Sequence, residues 1–122
     1  RVGYAFRHLK NQRGPLMSDL FARASHPTSL IVDERSWQNT ILELADLKGW
    51  YVYHNPDSRR SAPGFPDLCL IRPPRLVFVE VKRETGSLTK KQKDVLSMLT
   101  ACDVENYVAR PSDWQQLVGW LS

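Results

Sequence analysis

Between Pro63 and Lys82 the chain reads PGFPDLCLIRPPRLVFVEVK, two apolar runs of strand length joined by Arg72-Pro73-Pro74-Arg75. Adjacent prolines continue neither run, because each lacks a backbone N–H and fixes its φ, so the segment predicts a β-hairpin. If Ile71 pairs with Leu76 and no bulge intervenes, the register sets Asp67 opposite Glu80. Directly opposed residues on one face have Cβ atoms roughly 4.5–5.5 Å apart, where like charges repel. Alternation along the second run puts Leu76, Phe78, Glu80 and Lys82 on one face and Val77, Val79 and Val81 on the other, so a lysine stands beside two carboxylates. That group, at the end of strands otherwise made of Val, Leu, Ile and Phe, is costly unless a divalent cation fills the gap. The residues predict a metal site.

Gly64-Phe65-Pro66-Asp67-Leu68 followed by Glu80-Val81-Lys82 resembles the G-x-P-D and E-x-K motifs of the PD-(D/E)XK nuclease superfamily. Within it the chain is most similar to the stand-alone virus-type replication-repair nuclease modules, VRR-NUC. The likeness extends from Asp33 to Trp114. E-x-K alone arises by chance in many strands; what is specific is the order of an acid on a first helix, G-x-P-D, E-x-K and a glutamine on the next helix. The resemblance implies a restriction-endonuclease-like core and a catalytic set of Glu34, Asp67, Glu80, Lys82 and Gln92. Asp67 and Glu80, the backbone carbonyl of Val81, and Glu34 directly or through water would hold Mg²⁺ or Mn²⁺ by oxygen ligands. Lys82 would orient the attacking water or neutralise charge developing on the phosphate.

A chain of 122 residues is long enough for one core and too short for two ordinary domains. No apolar run approaches the roughly 18 residues of a membrane span, and no secretory signal pattern is visible. The expected location is the cytoplasm, that of the host cell if the protein is viral. Cys69 and Cys102 lack metal-binding or disulfide spacing and read as small buried apolar residues. The net charge of +4 points to an anionic partner, yet residues 1–16 hold four basic and no acidic residues, Arg1, Arg7, Lys10 and Arg13, and account for the whole surplus.

Met17-Ser18-Asp19 reads like a translation start. Residues 1–28 are therefore expected to be a basic leader with a short helix over Ser18 to Ala24, not all of it native, and 29–122 a single nuclease domain. From Asp33 to Lys48 the spacing of Trp37, Ile41, Leu44 and Ala45 predicts an amphipathic helix capped by Asp33 and stopped at Gly49. At about 100° per residue, Glu34 shares a stripe with Gln38, Ile41 and Ala45, whereas Glu43 points about 180° away as a solvated charge. As a first-turn acid, Glu34 also suits the helix dipole.

Trp50 to Tyr53 forms an aromatic-rich strand. A polar loop follows, in which Arg59 and Arg60, with His54 at its start, are placed to contact phosphates. After the hairpin, Thr89-Lys90-Lys91-Gln92 satisfies the capping-box pattern, so Gln92 has a structural role as well as the one the resemblance implies. The apolar residues Val95, Leu96, Met98 and Leu99 follow this cap. Arg83, Lys90, Lys91 and Lys93 gather positive charge beside the acids, a phosphate-contacting edge or a solvated helix face. Val104 to Val108 reads as the last strand. Ser112-Asp113-Trp114-Gln115 reads as a second capping box, opening a helix whose Trp114, Leu117, Val118 and Leu121 are core or a dimer surface.

The order helix, three strands, helix, strand, helix (α-β-β-β-α-β-α) predicts an α/β domain with a mixed sheet of about four strands. The expected activity is metal-dependent hydrolysis of DNA phosphodiesters by an endonuclease, without a small-molecule cofactor. With no separate base-reading module visible, recognition of DNA shape is expected. Likeness to Holliday-junction resolvases implies branched or four-way DNA and a homodimer. A general nickase of duplex DNA, and a DNA-binding or assembly module that keeps the fold without turnover, remain as alternatives.

Overall fold

The computed structural model of the chain describes residues 32–55 and 60–122. The expected leader, the short helix over Ser18 to Ala24, and Arg59 lie outside the described residues. Helix α1 (Glu34–Leu47) starts where Asp33 accepts a hydrogen bond from Ser36 N at 2.7 Å. It ends in a Schellman pair, Trp50 N to Ala45 O and Gly49 N to Asp46 O, which requires the positive φ of +85° that Gly49 supplies. Strands β1 (Tyr51–His54), β2 (Leu68–Arg72) and β3 (Arg75–Val81) follow, then α2 (Lys90–Ala101), β4 (Glu105–Ala109), a 3-10 turn (Pro111–Asp113) and α3 (Trp114–Trp120). Among the described residues no helix is long and apolar enough to cross a membrane.

The sheet runs β1-β2-β3-β4, antiparallel except that β4 lies parallel to β3 after the α2 crossover. Ile71 pairs with Leu76 and Leu68 with Val79, the expected register. The link is shorter than expected: Arg72 and Arg75 also pair, leaving only Pro73 and Pro74, joined by a cis peptide bond, in the turn. The last strand sits one residue later than the sequence suggests.

Strand alternation makes one sheet face the core. Leu68, Leu70, Val77, Val79, Val81 and Ala109 are buried there, beneath Trp37, Ile41, Leu44 and Ala45 of α1 and Trp114, Leu117 and Leu121 of α3. This corrects the dimer alternative for the α3 stripe, which is spent inside the molecule. The opposite face is covered only in part, since α2 buries Leu96 alone and leaves Met98 exposed. Cys102 is exposed and Cys69 half-buried, not the buried pair expected; burial pushes the Cys69 thiol up. Glu43 is half-buried rather than solvated, and its carboxyl is raised by desolvation and by Asp46. The second capping box also differs. Pro111 opens a 3-10 turn, and Asp113 Oδ2 reaches back to accept from Arg110 N at 2.9 Å, one turn before the α-helix proper.

The arginines at the hairpin tip are structural. Like charges on a cross-strand pair repel, yet both guanidinium groups lie over the Trp50 ring, at 4.5 and 5.0 Å from its centroid. They donate to the carbonyls that end α3 and the chain: Arg72 to Leu121 and Ser122, Arg75 to Trp120 and Ser122. Cations on unpaired C-terminal carbonyls complement the helix dipole. Arg75 also holds Glu105 through two bonds of 2.9 and 2.7 Å. Trp50, fully buried, donates Nε1 to Leu121 O at 2.8 Å and so ties α3 to the sheet. Trp50→Ala is expected to cost about 3–5 kcal/mol, read as a lower midpoint in urea unfolding; an unchanged midpoint would show that this tie is not what docks α3.

Candidate active site

Three elements meet at one end of the β2–β3 pair. Pro66 is buried, and Asp67 follows as the last residue before β2. Its carbonyl accepts from Asn55 N at 3.1 Å, and its side chain accepts from Val81 N at 2.8 Å. The carboxylate therefore takes the place of the next ladder acceptor for β3, and this pins it towards Glu80.

Glu80 is buried, at 2% exposure. Gln92 Nε2 donates to its Oε2 at 3.1 Å, while Oε1 has no hydrogen-bond partner. A buried carboxylate oxygen without a donor is costly unless a proton or a cation occupies it. Accordingly, the Glu80 carboxyl is pushed up to about 8, first by desolvation and then by the Asp67 charge; Lys82 opposes the rise and Glu34 adds to it.

Gln92 settles how one side chain fits two roles. Its Oε1 accepts from Thr89 N at 2.9 Å and its own N–H donates to Thr89 Oγ1 at 3.1 Å, the reciprocal cap of α2. The amide nitrogen is left over, and it points at Glu80. An amide carries one acceptor and one donor group, so capping and holding the acid are the same conformation.

Gly64 explains how α2 comes so close. At φ +84° a Cβ there would lie 2.5 Å from Lys91 O and 3.0 Å from Gln92 N. The loop that carries Asp67 rests directly on the first turn of α2, with no room for a side chain. Sequence reading singled out this glycine as part of a motif without the close approach that requires it.

Lys82 is half-buried; its main-chain N–H bonds Ala109 O at 3.0 Å, and its charge acts on Glu80. Glu34, the first residue of α1, is exposed, and of the influences on Glu80 its charge is the weakest. Among the described residues no three His, Cys, Asp or Glu side chains cluster as a cation cage. The gathered groups are thus Asp67, Glu80 and Gln92, with Lys82 beside them and Glu34 farther out. His54 is exposed at the end of β1, where it pairs with Leu68. Arg60, Arg83, Lys90, Lys91 and Lys93 are exposed around the same end, and Lys90 is partly offset by Asp94 at 3.1 Å.

The donor set suits a hard divalent cation: two carboxylates, one with a buried oxygen lacking any donor, at one end of a strand pair. Comparison with known families finds that the VRR-NUC domain model matches residues 17–113, most of the chain. No curated protein and no solved structure gives a match.

Proposed function

Because this chain belongs to the VRR-NUC family of nuclease domains, we propose that it is a metal-dependent DNA endonuclease with its centre at Asp67 and Glu80. The observation that carries this reading is the buried Glu80 oxygen without a donor, facing a second carboxylate. Asp67, Glu80 and the Val81 carbonyl would hold Mg²⁺ or Mn²⁺, with Glu34 reaching the ion through water. Such an ion supplies an activated water and charge stabilisation at the phosphate.

The residues of the chain do the rest. Gln92 holds Glu80 in place by donating to Oε2, which leaves Oε1 for an ion. Lys82, for which no carboxylate among the described residues lies within ion-pair distance, orients the attacking water or neutralises charge that builds on the phosphate in the transition state. Arg60, Arg83, Lys90, Lys91 and Lys93, with His54 and Arg59, contact neighbouring phosphates. Contacts of this kind position DNA without reading its sequence, which favours selection by shape and hence branched or four-way DNA, cut in paired fashion by a homodimer.

A labelled four-way junction, linear duplex and single strand incubated with Mg²⁺, Mn²⁺ or EDTA test this directly. Cleavage of the junction is expected only with a divalent ion, and Asp67→Ala is expected to reduce it by about 10³-fold or more, the loss of several kcal/mol of charge stabilisation. Cutting in EDTA, or an Asp67→Ala variant at the normal rate, would remove the proposed centre. No cutting of any substrate by a protein that still binds DNA would favour the assembly module.

A further inference from the structure

Two large aromatic rings stand exposed on the segments that border the acid pair. Tyr53 is 57% exposed and Phe65 44%. Register fixes where they lie. Tyr53 pairs with Cys69, which pairs with Phe78, so these three form a row across the incompletely covered face of the sheet. Asp67, two residues before Cys69, and Glu80, two residues after Phe78, lie at the same end of this pair and hence on that same face, and diagonal neighbours of this kind are roughly 7–8 Å apart. Phe65 comes two residues before Asp67 and is held edge-on to Phe78, with ring centroids 5.5 Å apart at 82°. Its position is set by Gly64 on the first turn of α2.

The neighbouring segments carry cations. Arg60 directly precedes Ser61, whose Oγ accepts from Asn55 Nδ2 at 2.6 Å just past the end of β1. Lys91 lies on the turn against which the Phe65 loop packs. Rings within one nucleotide's reach of the acids, bordered by phosphate-binding charges, match what a single nucleotide presents: a π-face and an anion. In a continuous duplex, base faces are hidden by stacking; at a junction, flap or gap they are not.

We infer that Tyr53 and Phe65 form a stacking platform for an unstacked nucleobase beside the scissile phosphate, and that this platform selects branched DNA over intact duplex. The inference takes its substrate from the nuclease reading and adds the part of the surface that discriminates.

Photocrosslinking tests it without turnover. A four-way junction and a duplex of the same sequence, each carrying 5-iodouracil at the nucleotides around the branch, are irradiated with the wild-type protein in EDTA and the attached peptides are mapped. Attachment at Tyr53 or Phe65 with the junction and not with the duplex is expected; attachment elsewhere, or equally with both, overturns the platform. In cleavage assays Tyr53→Ala and Phe65→Ala are expected to lower the ratio of junction to duplex rates by about fivefold or more, given what base–aromatic stacking contributes, and Phe65→Trp to restore it. An unchanged ratio, or a change in solution mass showing that these rings join two copies of the chain, also overturns it. A wild-type protein that crosslinks as expected but cuts nothing would sink the nuclease reading alone, whereas one that cuts but never crosslinks at these rings would sink only the platform.

Discussion

Glu80→Gln is expected to lower cleavage by about 10³-fold or more while making the cation-free protein harder to unfold at alkaline pH. Both effects come from the same crowding. Glu80 is buried opposite Asp67, with one oxygen satisfied by Gln92 and the other by nothing. In the folded protein its carboxyl is pushed up to about 8 from 4.5, so between those values the folded chain holds a proton that the unfolded chain has released. The stability linked to that proton is complete below about 4.5 and is lost as the pH rises through about 8. Above that point the charged acid sits beside Asp67 at full cost. A neutral amide of the same shape keeps the acceptor for Gln92 and removes the charge, at the expense of a ligand for the ion. Thermal melts in EDTA at about pH 5 and about pH 8.5 should show the variant and wild type close together at the lower value and the variant higher at the upper one. Residual cleavage near the wild-type rate, or a variant less stable than wild type at alkaline pH, would show that Glu80 is an ordinary buried acid. The expected trade of stability for function is the signature of a site built around repulsion.

How much of this was legible in the sequence depended on whether the signal was local. Hairpin register could be read because the two prolines mark the turn and period-2 alternation leaves one pairing that buries Val77, Val79 and Val81 together. From register came the opposition of Asp67 and Glu80. The α2 cap was legible for the same reason, since Thr89 and Gln92 carry their bond within one turn. What escaped notice were contacts between segments distant in the chain. Nothing near Arg72 and Arg75 announces that they end α3, some 45 to 50 residues later. Nothing in the loop before Asp67 announces that Gly64 will touch α2. The VRR-NUC motifs pointed to a site whose residues are identified by pattern; the physical reasons for Gly64 and for the double role of Gln92 needed the fold.

Affinity for Mg²⁺ is expected to climb with pH, by about tenfold per unit from about pH 6 to about 8, and then to level off. An ion can use Glu80 only after the proton has gone, and below about 8 the folded, cation-free site keeps it. Calorimetric titration in buffers of different ionisation enthalpy should therefore report close to one proton released per ion at about pH 6.5 and almost none above about 9. Lys82 gives this expectation a second handle. Its charge is what restrains the rise of Glu80, so Lys82→Met should move the break to higher pH and weaken Mg²⁺ binding below it, while leaving the plateau at alkaline pH nearly in place. Cleavage by the wild type should follow the same pH curve at low Mg²⁺ and flatten when the ion is saturating, since mass action then drives the proton off. Affinity that is constant from about pH 6 to 8 would mean that the ion, if it binds, does not displace a proton from Glu80, and the cation would have to be placed elsewhere. A Lys82→Met variant whose break stays where the wild type's is would instead leave the ion at Glu80 and free the lysine from it, confining its amine to the phosphate.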